Sequence, residues 1–218
     1  MSTNFELRLA ELVAARISHD LVGPVGAAVN GVELLAEDGT PDADVVALIG
    51  QSARQASRRL QVFRVIYGTS GALPAGAPFA AARKLFEALL EGDKVVLADW
   101  RFAPALEAEA GRAGARLALL AGFLLAEGLP RGGELRLAAN LVGGNASLEW
   151  QAKGTSARLF EEVEATLSGK VATHELTPKS APAAVLRRLA VELGGQIAYS
   201  ATKDMLFLGL SFAARGEV

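Results

Sequence analysis

The sequence predicts an α+β protein in two parts. An N-terminal helical hairpin forms a four-helix bundle on dimerisation, and a C-terminal sandwich packs helices on a mostly antiparallel sheet. Three observations predict it. Apolar residues recur at helical spacing through two long N-terminal segments, a Gly/Pro-rich stretch follows, and beyond it short helical patterns alternate with strand-like runs.

Residues 3–37 carry the first helical pattern. At ~100° per residue, Ala10, Val13, Ile17, Leu21, Val25, Ala28, Val32 and Leu35 fall on one stripe. Residues 38–42 (Asp-Gly-Thr-Pro-Asp) form a turn that also starts the next helix. Residues 42–67 repeat the pattern. Val45, Ile49, Ala53, Ala56, Leu60, Phe63 and Tyr67 line one face, with Gln51, Arg54, Gln55, Arg58 and Arg59 mostly off it. A single hairpin cannot cover so wide an apolar stripe, whereas two hairpins paired as a bundle can. A homodimer is therefore expected.

The Gly/Pro-rich residues 68–78 mark the domain boundary, dividing the chain into residues 1–72 and 73–218. After it, residues 79–90 read as a helix and 94–99 as a strand. Residues 104–127 contain a long helix, firmest over 112–125. Two strands, 134–139 and 146–153, are joined by Gly143-Gly144-Asn145. Helices at 156–167 and 181–193 precede a final hairpin of 196–200 and 205–212.

Composition sets limits on function. The chain is 51% hydrophobic, so a sizeable core can form, and its net charge of −2 gives no reason to expect a nucleic-acid partner. It has no cysteine, which excludes disulfides, thiolate metal sites and cysteine catalysis. No uninterrupted apolar run reaches the ~18 residues of a membrane helix, and the first residues lack the basic and apolar regions of a signal peptide. A soluble, cytoplasmic protein with no membrane partner is the expectation.

His19 is the most informative residue, one of two histidines in the chain. It lies inside the first helical pattern, roughly 180° from the centre of the apolar stripe. Its neighbours on that side are Arg16, Gly23, Gly26, Asn30, Glu33 and Glu37. An exposed histidine on a helix is most often an ordinary surface residue, but here the neighbours add to it. An unprotonated imidazole nitrogen can attack phosphorus, and the adjacent Asp20 can orient the ring or accept its proton. The small residues Gly23 and Gly26 leave room for a partner beside Asn30. Pro24 has no N–H for the Asp20 carbonyl, so a bend is expected there. His174 has no second histidine or cysteine at metal-ligand spacing and reads as a surface residue. Arg54, Arg58 and Arg59 read as a solvated helix face that could also meet an acidic partner.

Ser18-His19-Asp20-Leu21 followed by Pro24 resembles the H-box of dimeric histidine kinases. The longer run from Ile17 to Ala27, continued by Asn30-Gly31 and Glu33-Leu34-Leu35, is closer to the ChpT-type histidine phosphotransferases of alphaproteobacteria. That resemblance implies a phosphorelay intermediary of the cell-cycle type, in which His19 accepts and donates the phosphoryl group. The implied partners are response-regulator receiver domains and a hybrid histidine kinase, with Mg²⁺ carried by the receiver. In this scheme Asp20 tunes the imidazole for rate rather than for folding, and Arg16 is a candidate phosphate contact.

The second half resembles the GHKL-type ATP-binding domain of histidine kinases. Residues 117–133 look like the helix that carries the kinase N-box and the turn after it, and Leu193-Gly194-Gly195-Gln196-Ile197 looks like the entry to its last hairpin. The nucleotide machinery is missing from the pattern. Gly122 and Ala126 stand where N-box asparagines are expected, and no Asp-x-Gly-x-Gly adenine loop follows. Without oxygen ligands Mg²⁺ cannot be held against ATP phosphates, so a degenerate domain that binds neither ATP nor a metal is expected. Two other readings stay open at this stage: an orphan histidine kinase with a divergent ATP site, and a receiver-binding adaptor that transfers nothing.

Overall fold

The structure, a computed structural model, describes residues 3–38, 42–68 and 70–214. Two long helices lead, α1 (Thr3–Asp38) and α2 (Ala43–Ile66). Asp42 caps α2 by accepting the Asp44 amide at 2.8 Å. Within the predicted turn, residues 39–41 lie outside the described residues. The helices approach closely at Gly31, where a Cβ would lie 2.5 Å from Ile49 Cγ1. Helix α1 runs through Pro24 without ending.

The C-terminal part contains α3 (Pro78–Leu90), β1 (Val95–Phe102), α4 (Leu106–Glu109), α5 (Gly111–Glu127), β2 (Gly133–Val142) and β3 (Asn145–Lys153). It closes with α6 (Glu161–Leu167), α7 (Ala181–Glu192), β4 (Gln196–Thr202) and β5 (Met205–Ala213). The five strands form one sheet in the order β1-β2-β3-β5-β4. Only β1 and β2 pair in parallel among these neighbours. This is the α+β arrangement the sequence predicts.

Helix α5 organises the core. Leu117, Leu119, Leu120, Leu124 and Leu125 on it are all buried, on every side of the helix. A helix apolar all round needs cover all round. The sheet covers one side, while α2, α3 and α7 cover the others. Trp150 from β3 donates its indole N–H to the Ala118 carbonyl at 3.2 Å and meets Phe86 and Trp100 edge-on. Burying side chains of this size is worth about 1.5–3 kcal/mol each.

The packing crosses the chain division. Val62, Phe63, Val65 and Ile66 at the end of α2 belong to the same core as α5 and the sheet. Arg116 on α5 donates to the Ile66 carbonyl at 3.1 Å, and Arg112 donates to that of Leu73 at 2.8 Å. On the other side, Leu12 of α1 is buried against Leu176, Ala181 and Ala184, with Phe5 and Leu9 packed beside it. Helix α1 is thus clamped by the sheet domain along its N-terminal half.

Three expectations change. The helix expected over 156–167 begins only at Glu161. The amides before it are used elsewhere: Ser156, with φ +61°, donates to Asp204, and Arg158 donates to the Gly128 carbonyl. The helix expected within 104–127 is split at Ala110, because Gly111 takes a φ of +52°. Finally, although no unbroken apolar run is long enough, α1 averages a hydropathy of 1.2 over its best window and so is long and apolar enough to cross a bilayer by composition. Arg16, His19 and Asp20 interrupt it, and Leu12, Val13, Ile17 and Leu21 pack on this chain.

Candidate functional site

His19 stands at the rim of a groove of about 670 Å³. One wall is Arg16, Asp20, Arg59 and Glu127; the other is Phe160, Glu162, Thr177, Pro178 and Lys179. The His19 side chain is 84% exposed, as its direction on the helix predicts. Gly23 and Gly26 continue its face, with nothing within 4 Å of where a Cβ would stand on either, and Asn30 beyond them is exposed. These four residues recur at i, i+4, i+7 and i+11, one stripe of a helix.

Asp20 points the other way from its exposed neighbour and is 7% exposed. Its two oxygens have separate tasks. Oδ2 accepts from Arg16 Nε at 2.9 Å and lies 3.7 Å from Arg59 Nη1. Oδ1 is 3.2 Å from His19 Nδ1. A carboxylate only accepts, so this contact favours the tautomer with its proton on Nδ1, in which the Nε2 lone pair faces solvent.

For Arg16 the structure corrects one point: helical spacing puts it on the polar side, yet it is buried, at 7% exposure. Its guanidinium lies over the Phe123 ring, 5.7 Å from the centroid, and donates to Glu127 as well as to Asp20. Burial opposes its charge, but Glu127 and Asp20 outweigh burial and raise its pKa. Burial pushes the Glu127 carboxyl up, against the pull of Arg16. The Tyr67 hydroxyl is buried nearby with no hydrogen-bond partner, and burial raises its pKa. The cause of Arg16's burial is that α1 has a second buried face, against the sheet domain, where Phe5, Leu9 and Leu12 also pack.

The neighbouring arginines are not simply solvated. Arg58 pairs with Glu91, and Arg59 faces Asp20. On the far wall, Lys179 sits 3.2 Å above the centre of the half-exposed Phe160 ring, and Thr177 donates to Glu162 at 2.5 Å. Sequence reasoning missed Glu127, Phe160 and the 177–179 turn. No local signal marks them, because each reaches the groove from an element far along the chain.

Gly122 is not open to any groove. A Cβ on it would lie 2.7 Å from Trp150 Cζ2 and 3.0 Å from Phe86 Cζ. The α5 residues that look toward α1 are Phe123 and Glu127 instead, one turn apart, both touching Arg16. Among the described residues, no three histidine or carboxylate side chains gather in a way that could hold a metal ion.

Comparisons with known proteins follow this geometry. The family model for the histidine phosphotransferase C-terminal domain matches residues 79–205. The protein phosphotransferase ChpT of Brucella abortus (strain 2308) is 52% identical over 65 residues, covering 30% of this chain and 31% of that relative. The match therefore spans less than a third of the relative's length. A solved bacterial phosphotransferase superposes with a TM-score of 0.79 at 28% identity, over 96% of this chain and 97% of that one.

Proposed function

From the premise that this chain belongs to the histidine phosphotransferase family, we propose that it relays a phosphoryl group between receiver-domain aspartates through phosphohistidine at His19. One observation carries this reading: an exposed imidazole at the rim of a groove, with Nδ1 3.2 Å from a fixed carboxylate oxygen and Nε2 turned away from it. A receiver domain brings phospho-aspartate and its Mg²⁺ to this rim, over the uncluttered Gly23, Gly26 and Asn30 surface. The Nε2 lone pair forms the N–P bond as the P–O bond to aspartate breaks, and that electron pair leaves with the receiver's carboxylate. The reverse step loads a second receiver. Such transfer is mostly positioning and charge stabilisation. This chain supplies a pre-oriented nucleophile. The developing positive charge on the ring is balanced by Asp20 at 3.2 Å.

The protein acts as a homodimer. Val22, Val25, Val29 and Val32 form an exposed apolar stripe on α1, and Val46, Leu48 and Leu60 are about half exposed on α2. Pairing two hairpins covers both sets. It binds neither ATP nor a metal of its own; the Trp150 indole fills the space beside Gly122, where the resemblance puts an N-box asparagine.

The test is transfer from a labelled phospho-receiver to the purified chain, then to a second receiver. The label is expected to be acid-labile and base-stable, and to be absent from His19→Ala. Autophosphorylation from labelled ATP would replace this reading with a kinase. Receiver binding without transfer would replace it with an adaptor.

A further inference from the structure

We infer that Glu127, on the last turn of α5 in the sheet domain, is a positioning residue for the His19 nucleophile, acting through Arg16 and Asp20. The inference rests on the phosphotransfer reading above. Four groups form one chain of contacts: Glu127 accepts from Arg16, Arg16 Nε donates to Asp20 Oδ2 at 2.9 Å, and Asp20 Oδ1 meets His19 Nδ1 at 3.2 Å. Of these, Glu127 comes from the sheet domain and the other three from α1.

Division of the carboxylate gives the link its meaning. Arg16 and Arg59 both sit on Oδ2, so the carboxylate cannot rotate without losing them, and Oδ1 stays aimed at the imidazole. Arg16 needs its own restraint, since a long side chain held at one end still swings. Glu127 holds one guanidinium nitrogen while the Phe123 ring, one turn earlier on α5, lies beneath the guanidinium. Glu127 is itself placed against local preference. An anion in the last turn of a helix opposes the helix dipole, and its dense surroundings push its carboxyl up. A site that bears both costs is explained by what Glu127 holds.

The consequence is that the tautomer and orientation of His19 depend on the docking of the sheet domain against α1. Loss of the Glu127 contact frees Arg16, loosens Asp20 and lets the exposed ring sample both tautomers. Receiver docking, which uses the outer face of α1, is untouched.

The experiment uses the full chain with a labelled phospho-receiver as donor, and ¹⁵N NMR of the His19 ring without any donor. Glu127→Gln is expected to lower kcat about tenfold or more, since misplacement by 1 Å can cost ~10²-fold. KM for the receiver stays within about twofold. In an Asp20→Asn background the same change has no further effect, because the two residues act in series. The ring nitrogens shift from a single Nδ1–H tautomer toward a mixture. Arg16→Lys, which cannot hold Asp20 and Glu127 together, reads the same link should the Gln variant not fold. An unchanged kcat and tautomer, or an independent multiplicative loss in the Asp20→Asn background, would overturn the inference. A wild-type chain that accepts no label overturns the phosphotransfer reading instead, and the NMR arm still decides the role of Glu127.

Discussion

Oδ1 of Asp20 lies 3.2 Å from Nδ1 of His19, yet the aspartate side chain is 7% exposed and the histidine 84%. Two adjacent residues, ~100° apart around one helix, therefore meet different surroundings, one locked into the protein and one open to solvent. Removal of the exposed member should be structurally silent. His19→Ala is expected to change the unfolding free energy by no more than about 0.5 kcal/mol, as for other surface changes, while abolishing transfer. Urea titration and the labelled-receiver assay check both halves. A variant that still relays phosphate refutes the site.

Asp20→Asn should behave differently. The sequence suggests a residue that matters for rate alone, but the structure places its carboxylate against Arg16 and Arg59. Neutralising it removes charge-assisted hydrogen bonding worth about 1.5–3 kcal/mol and leaves two guanidinium groups facing each other. Both the transfer rate and the urea midpoint are expected to fall. A midpoint equal to wild type would show that the arginines do not depend on Asp20.

The difference between these two residues shows what the sequence can reveal. Helical periodicity is local, so α1, α2 and the outward direction of His19 are legible from spacing alone. The Arg16–Glu127 contact joins residues 111 positions apart, and no pattern along the chain announces it. A second buried face of α1 is partly legible, because Phe5, Leu9 and Leu12 fall on the side of His19, away from the main apolar stripe. Leu12 and Arg16, four residues apart, mark it in the structure. The late start of α6 is hidden in the same way as the Arg16–Glu127 contact: the amides of Ser156 and Arg158 are claimed by Asp204 and Gly128, partners that only the folded sheet brings near.

Gly122→Asn would restore a kinase-like residue at the position the resemblance assigns. It is expected to destabilise rather than to create a nucleotide site. Its Cβ alone meets Trp150 at 2.7 Å and Phe86 at 3.0 Å, and overpacking of this kind costs typically 1–3 kcal/mol. The polar amide would also enter a cluster of aromatic rings. A lowered denaturation midpoint with no Mg-ATP binding by calorimetry is the expected result. A stable variant that binds nucleotide would contradict the packing described.

Both tyrosines of the chain should resist alkaline titration. Burial raises the pKa of Tyr67, with Arg16 opposing. Burial likewise raises that of Tyr199, helped by the hydrogen bond its hydroxyl donates to Glu164 at 2.8 Å. A raised folded-state pKa means that the folded chain keeps a proton that the unfolded chain releases. The associated stability is complete below the free tyrosine value of ~10 and is lost as pH rises beyond it. Tyrosinate absorbance is therefore expected to stay flat through that pH and to appear together with unfolding. A titration centred on the free value while the fold persists would refute the burial of the Tyr67 hydroxyl and the Glu164 bond of Tyr199.

The proposed dimerisation can be tested apart from folding at Val29. Val22, Val25, Val29 and Val32 are 73%, 50%, 49% and 56% exposed, and their spacing of three, four and three residues places them on one stripe. Leu12 and Gly31, by contrast, are buried within the chain. A stable interface needs ~1,200–2,000 Å² in total, and the half-exposed Val46, Leu48 and Leu60 of α2 extend the apolar surface that a second hairpin would cover. Val29→Glu puts an unpaired carboxylate in the middle of that face, which costs several kcal/mol if it is buried in a dimer. In the single chain the position is already half in water, so the fold tolerates it. Light scattering is expected to give twice the chain mass for wild type and the chain mass for the variant at micromolar concentration, with helical circular dichroism unchanged. Because His19 is presented by one hairpin and its groove is closed by the same chain, the monomeric variant should still accept label from a phospho-receiver. A wild-type monomer, or a variant that dimerises as well as wild type, would show that this stripe is covered by something other than a second copy.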